Sequence, residues 1–150
     1  VAKFYEAFAR LDAETMGRCY ADDVVFSDPA FGTLKGDAVR DMWRMLTARA
    51  QAFSLALTDV AADDRTGVAH WRASYVFTQT GRVVTNRVEA RFTFRDGSIA
   101  EHHDTFDLWR WARQALGVKG ALLGWSPLVQ HAVRTRATKA LQMYRAGTDT

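Results

Sequence analysis

The apolar positions of the chain follow two different rhythms. Up to residue 52 they recur every three or four residues. Phe4, Phe8 and Leu11 fall on one helical face, and Met16 and Tyr20 resume the rhythm after an interruption at Leu11-Asp12-Ala13-Glu14. This predicts two helices within residues 1–20, with Asp12 capping the second. Asp22-Asp23 reads as a turn, and Val24-Val25-Phe26-Ser27-Asp28 as a short β-branched strand stopped by Pro29. Phe31 to Gly36 reads as a loop. A third helix is predicted from Asp37, its N-cap, with Val39, Met42, Trp43 and Leu46 on one face.

Beyond residue 52 the period is two. Phe53, Leu55 and Leu57 alternate with smaller residues, and residues 61–67 read as a turn. Ala69, Trp71, Ala73, Tyr75 and Phe77 then alternate with His70, Arg72, Ser74 and Thr78. Thr80-Gly81-Arg82 makes a tight turn. Val84, Val88, Ala90, Phe92 and Phe94 form the apolar set of the next strand, opposite Arg87, Glu89, Arg91 and Thr93. Asp96-Gly97 signals another hairpin, and the last strand runs from about Ile99 to Leu108. Helices segregated ahead of a meander predict an α+β fold, with three N-terminal helices packed on one face of a curved antiparallel sheet. Past Trp111, Gly117, Gly120 and Gly124 break the chain. Ser126-Pro127 opens an extra C-terminal helix with the stripe Val129, Val133, Ala140 and Tyr144.

Composition narrows the class. A chain of 150 residues that is 48% hydrophobic and 25% charged is an ordinary globular domain. The single Cys19 excludes an intrachain disulfide framework and a multi-cysteine zinc site, and reads as a small buried hydrophobe. No apolar run reaches the roughly 18 residues of a membrane span. The N-terminus lacks a charged-then-apolar leader pattern, so a cytoplasmic protein is expected, although Val1 in place of Met is consistent with a preceding piece. The net charge of +3 is unevenly spread: residues 1–108 carry a net −3 and residues 109–150 a net +6.

The stretch Tyr20-Ala21-Asp22-Asp23-Val24-Val25-Phe26-Ser27-Asp28-Pro29, followed by a Gly-containing loop and a helix, resembles the nuclear transport factor 2-like superfamily. More narrowly it resembles the ketosteroid isomerase and SnoaL-type polyketide cyclase branch. The resemblance covers roughly residues 3–108. It implies a cystatin-like cone over residues 1–108, a bent sheet wrapped around three helices with an apolar pocket at its wide end. It also implies a homodimer through the outer sheet face. Residues 109–150 are then a helical extension packing on the same domain.

The resemblance places Asp28 at the isomerase's catalytic aspartate, the base that moves a proton between two carbons. A carboxylate at a strand end facing an apolar cavity is poorly solvated and becomes more basic. The isomerase's oxyanion donors do not carry over. The tyrosine position falls on Phe4, with Tyr5 beside it, and the aspartate position falls on Ala90. A phenyl ring and a methyl donate no hydrogen bond, and loss of one oxyanion donor costs on the order of 10²–10³ in rate. A replacement set lies on the last strand, where Ala100, His102, Asp104 and Phe106 share a face. His102 and Asp104 would act as acid and orienting group beside Asp28. A slip of one residue would present Glu101 and His103 instead.

Phe26, Trp43, Trp71, Tyr75, Val88, Ala90 and Phe106 are the residues expected to line the pocket, although the rings also suit a packed core. Asp28 before Pro29 also suits a turn-initiating Asx residue. His102, His103 and Asp104 are consecutive and point to alternate faces, so no metal site is expected. The expected function is a small enzyme of isomerase, cyclase or hydratase type that works without a cofactor on a hydrophobic carbonyl or epoxide compound. The competing expectation is a ligand carrier or dimeric interaction module of the same fold. The basic C-terminal segment lacks a nucleic-acid motif. No nucleic acid is expected as a partner, and the segment is best read as a cap whose tryptophans, Trp109, Trp111 and Trp125, shape the pocket.

Overall fold

The computed structural model describes residues 1–123 and 126–148, with the side chains of 119, 120, 123 and 148 left aside. Gly124 and Trp125 lie outside the described residues. Three helices, α1 (Ala2–Ala9), α2 (Ala13–Arg18) and α3 (Asp37–Arg49), accompany strands β1 (Tyr20–Asp28), β2 (Gly32–Lys35), β3 (Ser54–Ala62), β4 (Thr66–Phe77), β5 (Arg82–Arg95) and β6 (Ser98–Thr105). Helices α4 (Leu108–Leu116), α5 (Val118–Leu123) and α6 (Pro127–Thr148) follow. The strands form one curved, unclosed sheet in the order β2-β1-β6-β5-β4-β3.

The period-two reading holds along β4, β5 and the second half of β6, whereas a register irregularity between Thr93 and Phe94 puts Ile99 rather than Ala100 among the buried residues. Ala69, Trp71 and Ala73 of β4, Val84, Val88, Ala90 and Phe92 of β5, and Ile99, His102 and Asp104 of β6 are buried. Asp96 and Gly97 both adopt positive φ, 54° and 79°, as the predicted Asp-Gly hairpin requires. That turn sets β6 against β5 with Ala90 opposite Asp104 and Phe92 opposite His102. The slipped alternative is excluded: Glu101 is exposed, and His103 bonds Ser27 Oγ at 2.6 Å rather than entering the core. Phe4, Met16, Met42, Met45 and Val39 from the three helices are buried against this inner face. The Asp12 carboxylate caps α2 by accepting from Thr15 N–H at 3.1 Å.

Several expectations are corrected. The sheet is not wholly antiparallel, because β1 runs parallel to β6. No turn joins these two strands, and with α3 and four strands between them the local signals left their relative direction open. Asp22-Asp23 is not a turn but part of β1, beside an irregularity of the β1–β6 register. The loop after Pro29 contains β2, which pairs with β1 from Val25–Lys35 to Asp28–Gly32. Gly36, not Asp37, is the N-cap of α3. Its φ of +57° suits glycine, and a Cβ there would meet the Asp22 carbonyl at 3.4 Å. Both α2 and the sheet pack on α3, so its buried face extends to Met45 and leaves Leu46 at the rim.

Strand β6 stops at Thr105 rather than running to Leu108, and Asp107 caps the helix α4 that follows. Helix α4 covers the end of the β4–β5 hairpin. Gln114 accepts from Thr85 N–H at 2.8 Å and donates to Thr85 C=O at 3.0 Å, continuing the strand's own pattern. Helix α6 packs on α3 through Leu141, with Ala140 and Tyr144 against the core. Arg145 bonds Asp41 at 3.0 Å, and Arg134 donates to the Pro29 carbonyl at 2.9 Å. Among the described residues no helix is long and apolar enough to cross a membrane.

Candidate functional site

Asp28 ends β1, where Pro29 prevents the strand from continuing. Its Oδ1 accepts from Ala30 N–H at 2.9 Å and Phe31 N–H at 2.5 Å. The turn therefore uses one carboxyl oxygen, and Oδ2 makes no hydrogen bond to a described residue. Burial pushes the Asp28 carboxyl up to about 6, against the opposing pull of the Phe31 N–H; the charge of Asp104 adds to the rise. The turn reading and the site reading of Asp28 thus hold together: the turn fixes the carboxyl, and its surroundings make it basic.

His102 lies deeper than the sequence reading supposed. It is 1% exposed and walled by the rings of Phe4, Phe26, Phe92, Tyr20 and Trp43. Both of its nitrogens are engaged. Nδ1 meets Tyr20 Oη at 2.7 Å, and Nε2 meets Asp104 Oδ1 at 2.7 Å. Trp43 Nε1–H donates to Tyr20 Oη at 2.9 Å. An indole nitrogen can only donate, so Tyr20 Oη accepts from Trp43. The Asp104 carboxylate accepts, which assigns the hydrogen of a neutral imidazole to Nε2 and leaves Nδ1 to accept from Tyr20 Oη–H. This four-residue relay crosses α3, β1 and β6 and fixes the orientation of the Asp104 carboxylate. Beyond burial, the charge of Asp104 raises Asp28, Tyr5 and Tyr20 alike.

Tyr5, on α1, is 3% exposed, and Trp71, on β4, is 8% exposed. Tyr5 Oη and Trp71 Nε1 are both buried without a hydrogen-bond partner among the described residues. Their rings are 6.2 Å apart. Burial holds the Tyr5 phenol far above its usual range, and Asp104 adds to that. The neighbouring indole N–H offsets part of the rise without reaching hydrogen-bond geometry. Orphaning a buried donor costs about 1–3 kcal/mol, so two neighbouring ones are an unusual feature in a packed core.

The residues expected to line the pocket therefore separate. Phe26 and Trp43 wall His102, and Val88 and Ala90 lie in the buried core. Trp71 carries a free donor. Tyr75 is engaged elsewhere, accepting from Trp111 Nε1–H at 2.8 Å, and Phe106 is half-buried against the core. Sequence reasoning did not select Tyr5 or Tyr20. Tyr20 registered as one more apolar position of a helical stripe. Tyr5 was visible only as the neighbour of Phe4, which packs edge-on to His102 at 5.5 Å. Among the described residues no three His, Cys, Asp or Glu side chains are grouped to hold a metal ion.

Known proteins sharpen this picture. A protein of unknown function with the NTF2-like fold from Burkholderia pseudomallei superimposes with a TM-score of 0.67 at 23% identity, covering 76% of this chain and 92% of its own. A protein with a ketosteroid isomerase-like fold from Catenulispora acidiphila, solved with trimethylamine, gives 0.70 at 15% identity over 84% and 95%. An LEH-like epoxide hydrolase of M. tuberculosis gives 0.65 at 21% identity over 83% and 92%. At these identities the likeness is one of fold. No curated protein matches the sequence. The sequence model of the SnoaL-like domain, however, matches residues 1–102, two thirds of the chain and every element that builds the site up to His102, so this protein belongs to the SnoaL-like domain family.

Proposed function

We propose that this protein is a small-molecule enzyme that moves protons by general acid–base catalysis on a hydrophobic carbonyl or epoxide compound, without a cofactor. The observation that carries this reading is Asp28: a carboxyl anchored through one oxygen, with the other oxygen free, and held near 6 by its surroundings. A base with that basicity is half-protonated near pH 6 and mostly ionised at neutral pH, so it can both take up and return a proton.

Each side chain then has a role. Asp28 Oδ2 takes a proton from the carbon next to a carbonyl. The negative charge moves onto the carbonyl oxygen, which receives hydrogen bonds from Tyr5 Oη–H and Trp71 Nε1–H. In a β,γ-unsaturated carbonyl compound the enolate electrons return through the conjugated system, the proton passes from Asp28 to the γ-carbon, and the carbon–carbon double bond moves to the α,β position. Two preorganised donors in a dry site supply the stabilisation expected of an oxyanion hole. They replace the donors that Phe4 and Ala90 lack. His102 is a positioning residue rather than the acid. With both nitrogens engaged, it holds Asp104 in place through the relay from Trp43 and Tyr20.

The test is hydrogen–deuterium exchange, read by NMR, at the α-carbon of a panel of hydrophobic ketones in deuterated water. Wild type should accelerate exchange of at least one ketone, with a pH profile rising through about 6. Asp28→Asn should abolish that exchange, while Tyr5→Phe should lower the rate by about 10²-fold. Exchange that survives Asp28→Asn would overturn the assignment. The second reading, a ligand carrier of the same fold, draws on the full engagement of His102, which leaves neither imidazole nitrogen free for a substrate. It predicts ketones or epoxides that raise the melting temperature and are neither exchanged nor opened.

A further inference from the structure

The stretch after β6 differs from the rest of the chain in charge. Residues 108–148 hold seven Lys and Arg and no Asp or Glu. Of those whose side chains are described, only Arg145 forms an ion pair with a described residue, Asp41 at 3.0 Å. Arg134 donates to the Pro29 carbonyl, which leaves its charge uncompensated. Arg113 lies over the ring of Trp109, 5.0 Å from its centroid, a contact that also brings no counter-charge. Arg110, Arg136 and Lys139 are exposed on α4 and α6.

The same stretch keeps apolar side chains in water. Val118 and Leu122 of α5 are 76% and 66% exposed, and Leu128, in the first turn of α6, is 77% exposed. Val118 and Leu122 are four residues apart and so share one helix face. Of the five large hydrophobics at least 66% exposed among the described residues, Val83 alone lies outside this stretch. Helix α4 is anchored by buried Leu108, Ala112 and Ala115, and α6 by Leu141. Between those anchors, from Leu116 to Ala140, no described side chain is buried. The segment is thus held at its two ends and turns its apolar residues outward, rather than closing over the core.

Apolar exposure together with unopposed positive charge narrows the occupant. A nucleic acid would meet the arginines and leave Val118, Leu122 and Leu128 in water. The same stretch of a second copy would bring like charge and no acid. An acidic protein would need a rigid complement to side chains set on three separate helices. An anionic bilayer conforms to them and supplies both halves at once, phosphates at headgroup level and acyl chains beneath. The outward Trp109–Arg113 pair of α4 suits that boundary, where an indole can sit with its polar edge in the headgroups.

We infer that α4, α5 and the first turns of α6 form a docking surface for an anionic lipid bilayer. Val118, Leu122 and Leu128 enter the boundary between headgroups and acyl chains, and Arg110, Arg113 and Arg136 meet lipid phosphates. The contact is peripheral, since no helix among the described residues is long and apolar enough to cross. Arg134, six residues after Leu128, reaches the carbonyl next to Asp28, so the docked surface adjoins the candidate site. The inference does not rest on the acid–base reading.

The test is co-sedimentation of the full chain with vesicles of phosphatidylcholine, alone or with about 30% phosphatidylglycerol, at low and raised sodium chloride. Wild type should bind the anionic vesicles, with a blue shift of its tryptophan emission, and bind phosphatidylcholine at least tenfold more weakly. Val118→Asn and Leu128→Asn together should weaken anionic binding at least tenfold, and so should Arg110→Gln with Arg136→Gln. Raised salt should reproduce the loss of charge. All four side chains are exposed, so both double variants should melt as wild type does. Asp28→Asn, which the acid–base reading expects to be inactive, should bind as wild type does, so the two readings fail separately. The proposal fails if wild type ignores anionic vesicles or binds phosphatidylcholine equally well. It fails if the asparagine variant binds like wild type, which would reduce the contact to surface charge. It also fails if soluble polyglutamate binds as tightly as the vesicles and is lost with the same asparagines, which would assign the surface to an acidic protein. A dimer that those asparagines dissociate would make it a contact between copies and overturn it too.

Discussion

Replacing Asp28 by Asn should make this protein more stable at neutral pH and leave it unchanged in acid. An asparagine Oδ1 can still accept from Ala30 and Phe31 N–H, so the turn after β1 is retained. What disappears is the charge. The fold raises the Asp28 carboxyl from 3.8 to about 6, with burial as the largest cause. The native state therefore binds this proton more tightly than the unfolded chain does. Unfolding releases it between about pH 4 and pH 6, so the group's contribution is most favourable at the acid end and is lost as pH rises through the folded value. The gap corresponds to about 3 kcal/mol, and the solvent that still reaches Asp28 reduces it to about 2 kcal/mol. Asp28→Asn should match wild type near pH 4 and exceed it by about 2 kcal/mol above pH 7. For a chain of this size that raises Tm by about 4–8 °C. Urea and thermal unfolding of both proteins across pH 4 to 8 measure it directly. A variant less stable than wild type at pH 8, or a gain that does not change with pH, would show that the fold does not hold this carboxyl against its solvation. A gain in stability alongside a loss of α-carbon exchange would be the signature of a site kept at the fold's expense.

Other consequences are as direct. Tyr20→Phe leaves Trp43 Nε1 and His102 Nδ1 without partners inside the core, and should cost about 2–5 kcal/mol. Tyr75→Phe deletes the same atom beside half-buried Trp111, which water can reach, and should cost under about 1.5 kcal/mol. Equal losses in urea unfolding would sink the relay argument. Leu141→Ala removes the 4%-exposed anchor of α6 and should cost about 2–3 kcal/mol, with faster proteolysis within 127–148; a loss indistinguishable from zero would mean that α6 is not held on α3. Asp12→Ala removes the α2 cap and should lower the melting temperature, whereas Asp12→Asn keeps the acceptor for Thr15 N–H and should lower it less.

Much of the site was readable along the chain because it depends on local rules. Pro29 ends β1 and so leaves Asp28 at a strand terminus. The Asp96-Gly97 turn pins β6 against β5, and alternation then sends His102 and Asp104 inward together. What escaped was how these groups are shared out. Tyr5 and Phe4 are adjacent, and only the packing of α1 decides which ring meets His102 and which carries its hydroxyl toward Trp71. The basic tail, expected as a cap, reaches the residue after Asp28 through the bond from Arg134 to the Pro29 carbonyl, a contact spanning 105 residues that no local pattern could forecast.

The sequence by itself determined the three N-terminal helices, the last helix, the β3–β6 meander and the family, because each follows from periodicity and turn chemistry within a few residues. Tertiary structure alone decided that β1 lies parallel to β6, that Tyr20 and Trp43 occupy His102, and that Tyr5 and Trp71 keep unused donors. These outcomes join residues far apart in the chain. A hydrogen bond in a buried site depends on which atom arrives within 3 Å, and that is set by how whole elements pack rather than by any property of the residue alone.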